Sequence, residues 1–172
     1  MSDAETLVAA TGRDWETLAR AAAGGRSEEA PVVLRELLVF LLADSRYAIP
    51  VERVREIVRL RTITPVPRVP EDVCGVIVLR GEVVQVVDLR SCLGLPISEA
   101  GRRTRIIVLH GCDDQMAGIL VDAVQEVARV AEDDCRPVTE GEGDAVSELF
   151  LSNDDFVSIL ELDRVLEFRG DE

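Results

Sequence analysis

Offset by seventy residues, the chain matches itself. Ile49, Val51, Glu52, Val54, Glu56, Ile57, Arg59 and Leu60 fall on Ile119, Val121, Asp122, Val124, Glu126, Val127, Arg129 and Val130, eight like-for-like pairs in one twelve-residue window. At an offset of seventy-three a second block agrees, with Val84, Val86, Val87, Asp88, Leu89 and Leu93 over Val157, Ile159, Leu160, Glu161, Leu162 and Leu166. Self-similarity in fixed order sets the architecture as two copies of one unit. The acidic and Arg matches separate it from chance agreement between aliphatic runs. A lone unit of about sixty residues buries only about 60% of the surface its unfolded chain exposes, against nearly 70% for about 150 residues. The two copies are therefore expected to share a core.

The elements follow from local pattern. Residues 1–30 read as a leader, partly helical or disordered, in which Asp14 caps a short helix carrying Trp15, Leu18 and Ala22 on one face and Gly24-Gly25 ends it. The remaining domain runs over 31–168, with lobe one at about 34–96 and lobe two at about 104–168. Leu37–Leu42 is an apolar run, Asp44-Ser45 turns it and Tyr47–Ile49 returns, which predicts a hairpin. Pro50–Val58 predicts a helical turn leading into a strand, and Pro65, Pro67 and Pro70 forbid regular pairing after it. Residues 72–79 and 82–88 predict a second hairpin about Arg80-Gly81, and Gly94 and Pro96 close the lobe. Lobe two repeats the plan with 105–109, a turn at Asp113-Asp114, then 115–121 and 124–130. Residues 136–148 read as a loop, with strands at 149–151 and 156–162 about Ser152-Asn153-Asp154, and a helical stretch over 163–168. Short strands at close spacing, twice over, predict a mainly β fold of two small barrels with short helices.

Charge divides the chain unevenly. Residues 1–112 hold fifteen Arg against fifteen acids, and 113–172 hold four Arg against eighteen acids, so the net −14 lies wholly in the second half. Such asymmetry suits docking to partners of different sign. All nineteen basic residues are Arg. Without Lys there is no Walker-type phosphate lysine, no Schiff base and no kinase lysine. Nucleic acid is a poor partner for a chain lacking both a basic face and paired aromatics. Cys74, Cys92, Cys112 and Cys135 stand about twenty residues apart, without the close pairs of a zinc or redox site. No secretion signal opens the sequence and no apolar run spans a bilayer, which predicts a soluble cytoplasmic protein without membrane insertion.

Catalysis has few candidates. The pairs Asp113-Asp114, Asp133-Asp134 and Asp154-Asp155 fall at predicted turns, where aspartate bonds nearby amides. His110 is the only histidine and follows a strand, with no nucleophile elbow elsewhere. A small metal-dependent hydrolase built on His110 and these pairs is the alternative of another class. The segment Gly75–Arg90 resists a purely structural reading. Its second copy keeps the strands but replaces Leu79-Arg80-Gly81 with Ser152-Asn153-Asp154. An Arg in one copy alone points to a task the lobes do not share, since its guanidinium fork suits a carboxylate or backbone carbonyls at an interface.

From Leu37 to Phe168 the chain resembles the CheW family of chemotaxis coupling proteins. The resemblance is carried by Leu-Leu-Val-Phe, Tyr-Ala-Ile, Val-Arg-Glu-Ile, Gly-Val-Ile-x-Leu-Arg-Gly, Val-Val-Asp-Leu-Arg and Gly-Ile-Leu-Val-Asp-x-Val, in that order. It implies two SH3-like five-stranded barrels around a common core, with strand exchange between them as an option. It further implies a non-enzymatic scaffold, without metal or cofactor, linking chemoreceptor cytoplasmic tips to the regulatory domain of a CheA-type histidine kinase. Carried over by position, Val54, Glu56, Gly75 and Arg80 resemble residues tied to receptor binding. Ile57, Val121 and Val124 would line an apolar groove between the lobes. Val78 stands where the family commonly has Asn, and Gln85 where Pro is frequent. Those departures favour a second version of the reading, an adaptor of a non-flagellar chemosensory system serving surface motility or development.

Overall fold

A computed structural model describes residues 31–111, 115–139 and 145–167. The chain divides into two compact units, Met1–Val33 and Leu34–Glu172. The expected leader helix with Trp15, the Asp113-Asp114 turn, Gly141, Gly143 and Phe168 lie outside the described residues.

Eleven strands make up the described part of the second unit, and they fall into two sheets. The first hairpin is β1 (Leu34–Leu42) with β2 (Ser45–Pro50), turning at Ala43-Asp44. Pro50 has no N–H to extend the ladder, and the chain turns through a 3-10 turn at Val51–Arg53 into β3 (Val54–Arg59). The Pro-rich stretch that follows makes only an isolated bridge, Thr64 to Val76. Next come β4 (Val73–Leu79) and β5 (Glu82–Asp88), then a single helical turn, α1 (Leu89–Cys92), capped by the Asp88 carboxylate, which accepts from the Arg90 N–H. Strands β6 (Arg105–Leu109), β7 (Met116–Val121) and β8 (Ala123–Ala131) follow. A 3-10 turn at Glu132–Asp134, the two-residue β9 (Arg136–Pro137), β10 (Val146–Ser152), β11 (Asp155–Leu160) and α2 (Leu162–Glu167) complete the unit.

The strand orders are β3-β6-β7-β5-β4 in one sheet and β8-β1-β2-β11-β10-β9 in the other. With β9 set aside, each reads as the same series. The five-stranded sheet takes β3, β4 and β5 from the first half and β6 and β7 from the second; the six-stranded sheet takes β1 and β2 from the first half and the rest from the second. Each copy thus gives its first hairpin to the sheet of the other. The exchange is closed by two parallel pairs, β2 with β11 and β5 with β7. A mainly β fold in two sheets with short helices is as the sequence predicts, but one sheet has six strands where five are expected, and neither sheet is made from one half of the chain alone.

The hairpin turns show why the repeat survives with different residues. Arg80 (φ 50°) and Gly81 (φ 82°) occupy one turn, Asn153 (φ 51°) and Asp154 (φ 66°) the other. Two left-handed residues in succession make the turn whose twist matches the flanking strands. Glycine, Asn and Asp tolerate that region, whereas Arg80 is held there.

Three apolar clusters follow from the alternation of side chains. Ile77, Leu79, Val84, Val86, Ile106 and Val108 fill the interior of the five-stranded sheet. Leu37, Val39, Ala48, Phe150, Val157 and Ile159, with Cys135, fill that of the six-stranded one. A third, larger cluster draws Leu38, Phe40 and Leu42 from β1, Ile107 and Leu109 from β6, and Leu89 and Leu162 from the two helices. Strands β1 and β6 are therefore buried on both faces, which explains the unbroken Leu37–Leu42 run. The shared core expected from size is this third cluster.

Candidate functional site

Strands β3 and β8 are equivalent in the repeat, and each is the edge strand beside the shared core. Val54 stands opposite Leu109 and Ile57 opposite Ile107; Val124 stands opposite Phe40 and Val127 opposite Leu38. All four partners belong to the shared cluster, so the valines and Ile57 continue that core to the surface. Residues three apart in a regular strand point to opposite faces. Here the register slips by one residue at Arg55 and again at Gln125, and these bulges bring each pair onto one face. Val54 and Val124 are half-buried, whereas Ile57 is 42% and Val127 53% exposed.

The other candidates separate from this strip. Val121 is 1% exposed inside the shared core, so its side chain does not line a groove; it lies before the crossover, and Val127 takes the outward place. Gly75 is buried within β4. Glu56 stands opposite Val108, on the other face of β3 from Ile57, and accepts from Arg80 Nη2 at 3.3 Å. The Arg80 side chain is 74% exposed, so this pair is worth at most about 1 kcal/mol. Arg55 of β3 pairs with Glu82 at the start of β5 at 2.9 Å.

A second apolar surface was not anticipated from sequence. Val78 and Val83 face each other near the β4–β5 turn, 62% and 61% exposed. Leu151 and Phe156 do the same near the β10–β11 turn, 60% and 69% exposed. The offset of seventy-three carries Val78 onto Leu151 and Val83 onto Phe156. Beside the first pair lies a cleft of about 360 Å³ lined by Val66, Val69, Val76 and Met116; beside the second lies one of about 820 Å³ lined by Val130, Pro137, Leu149 and Phe156. Outward apolar residues at matching positions in both copies were the available signal.

Each crossover carries an ion pair to the neighbouring helix, with the signs reversed. Arg90 of α1 pairs with Asp122 between β7 and β8, and Asp163 of α2 pairs with Arg53 between β2 and β3, at 2.8 Å. The Arg53 hydrogen bond holds the Asp163 carboxyl below its ordinary value despite some burial. A lowered folded value stabilises above the unfolded aspartate range, and that contribution is lost as pH falls through the folded value. Arg53→Ala is expected to return the Asp163 titration, followed by NMR, to the ordinary range. An unmoved titration would mean that Arg53 is not the cause. Elsewhere Arg35 bonds Glu148 at 2.6 Å and is raised by it, while burial raises Cys135 and Tyr47.

Among the described residues the groups of the catalytic alternative do not assemble, and Asp113-Asp114 lies outside them. His110 is exposed after β6, its N–H donating to the Arg53 carbonyl at 2.9 Å. Asp133 and Asp134 lie in a 3-10 turn, and Asp154 and Asp155 at the β10–β11 turn. Among the described residues no three His, Cys, Asp or Glu side chains converge where a metal ion could be held. No described helix is long and apolar enough to cross a membrane.

Two repeated sheets with a shared core and exposed apolar pairs on both have the form of a scaffold. Comparison with known proteins agrees: the CheW-like domain family matches residues 36–169, and the chain belongs to that family. It is 33% identical over 156 residues to the chemotaxis protein CheW of Helicobacter pylori, covering 89% of this chain and 93% of that one. It is 32% identical over 139 residues to the protein FrzA of Myxococcus xanthus, covering 77% and 86%. The crystal structure of the scaffolding protein TtCheW from Thermoanaerobacter tengcongensis superposes with a TM-score of 0.73 at 31% identity, over 81% of this chain and 97% of that one. As a member of this family the chain is a chemotaxis-type adaptor and not an enzyme.

Proposed function

We propose that the chain couples the cytoplasmic tip of a methyl-accepting chemoreceptor to the regulatory domain of a CheA-type histidine kinase, in the cytoplasm at receptor arrays. The observation that carries this reading is the presence of two separate apolar surfaces around one shared core. The strip of Val54, Ile57, Val124 and Val127 suits the apolar face of a helical hairpin. The exposed hairpin pairs leave room for a second partner at the same time. Arg80 stands at the β4–β5 turn and reaches Glu56 on β3, and its exposed guanidinium can exchange Glu56 for a carboxylate or carbonyl of the receptor. The relative FrzA and the Val78 departure support the same chemistry in a non-flagellar chemosensory system equally well.

Isothermal titration with soluble receptor-tip and kinase regulatory fragments tests the proposal. Ile57→Asp combined with Val127→Asp is expected to weaken receptor binding by about 2 kcal/mol or more, because a carboxylate is then buried without a partner. Arg80→Glu should cost under about 1 kcal/mol, as a rim charge does. Wild-type affinity in a well-folded double variant would end the reading of this strip as the receptor site.

A further inference from the structure

The internal repeat supplies its own control for surface charge. In the six-stranded sheet Glu36 stands opposite Arg129, and the two form an ion pair at 3.0 Å. The repeat equivalent of Arg129 is Arg59, and it stands opposite Arg105 of β6. One cross-strand position thus holds Arg with Glu in one lobe and Arg with Arg in the other. Like charges directly opposite on neighbouring strands are destabilising, and the other lobe shows that the fold accepts an acid there.

Nothing else in the described residues neutralises the pair. Among the described residues other arginines take part in all seven ion pairs, and neither Arg59 nor Arg105 has a described carboxylate within 4.0 Å. Arg105 Nη1 donates to the carbonyls of Arg102 at 2.9 Å and Thr104 at 2.8 Å, so the backbone fixes its guanidinium. Exposed Arg102 and Arg103, just before β6, add to the same positive end of the lobe.

We infer that Arg59 and Arg105 bind a carboxylate of the protein segment that docks along Ile57, a partner acid taking the place that Glu36 fills in the other lobe. The inference rests on the reading of the Ile57 strip as a docking surface. Arg59 is two residues beyond Ile57 in β3 and shares its face, so an apolar contact and a cationic one lie in succession along the strand. That order matches an amphipathic helix whose apolar stripe ends beside an Asp or Glu. Two guanidinium forks suit a carboxylate. A polyanion such as DNA or an acidic membrane is disfavoured, because the net charge of −14 repels it at long range.

Arg105→Glu makes the two lobes alike and gives an unusual pair of expectations. The variant should gain an internal ion pair with Arg59 and melt about 1–3 °C higher, while binding a soluble chemoreceptor tip fragment roughly tenfold more weakly at low salt. Arg59→Glu should behave likewise from the other side of the pair, and it covers the case in which the first variant fails to fold. The loss should shrink steadily as salt is raised, since the contact is electrostatic. Ile57→Asp serves as the reference. If Ile57→Asp weakens binding and both charge variants bind as wild type, the inference is wrong and the adaptor reading stands. If none of the three weakens binding, the strip is not the receptor site and both fail. A loss that is unchanged at high salt, or accompanied by a lower melting temperature, marks a structural lesion and also overturns the inference.

Discussion

Gly75→Ala is expected to destabilise the domain by about 3–5 kcal/mol, a large share of the roughly 5–15 kcal/mol that holds a native protein together. The residue sits in β4 at φ 139°, a conformation that side chains rarely adopt. A Cβ placed there would lie 2.2 Å from the Thr64 carbonyl oxygen and 2.9 Å from Ile63 Cγ2. The first of these is backbone and cannot swing away. Thr64 and Val76 exchange two backbone hydrogen bonds at 2.8 and 2.9 Å, and these tie the Pro-rich segment onto the sheet. Relieving the clash means giving up that bridge. Gly81→Ala is the control, since Gly81 has a positive φ of 82° but nothing within 4 Å, so only backbone strain of about 1 kcal/mol is expected. Urea unfolding of both variants reads the difference. Equal losses would mean that close packing against Thr64 contributes nothing.

That result bears on which parts of the molecule can be read from residues alone. The repeat was legible because the equivalent strands bury equivalent faces: Ile49 and Ile119 both lie in the shared core, and Leu89 and Leu162 open the two helices there. The exchange of hairpins was not, because a hairpin pairs with the strands of its own copy or of the other through the same pattern of apolar residues. Only the crossovers at Pro50 and Asp122 differ between those arrangements. Residues chosen by resemblance scattered for similar reasons. Val121, Val124 and Val127 are spaced by three, and neither alternation nor helical period says which are exposed. The bulge at Gln125 decides, and a bulge leaves no mark on hydrophobicity. Gly75 resembles a binding position, yet its buried place in β4 shows an internal demand on the backbone. Helix α1 was missed because four residues are too few to show a period.

Asp122→Ala should produce the second large effect, about 2–4 kcal/mol, through the charge it abandons. The Asp122 carboxylate accepts from Arg90 Nε at 3.0 Å, from Arg90 Nη2, and from the Ala43 backbone N–H at 2.8 Å. Ala43 is itself at φ 52°, so this carboxylate also holds the β1–β2 turn. Arg90 is 8% exposed, and without Asp122 its side chain keeps, among the described residues, the Pro96 carbonyl at 2.8 Å. The Asp122 side chain is 34% exposed, so water can enter and temper the cost, which is why the estimate stops short of a fully buried pair. Replacing both partners, as in Arg90→Met with Asp122→Ala, should recover part of the loss, because an apolar stem in that site needs no counter-charge. A double-mutant cycle by chemical denaturation measures this coupling. A double variant as unstable as the sum of its singles would refute the pairing. The pair also bears on the proposed docking strip, for Asp122 lies in sequence between Val121 in the core and Val124 in that strip. If it fixes the angle at which β8 leaves the crossover, Asp122→Ala should weaken receptor-tip binding even under conditions where the variant stays folded.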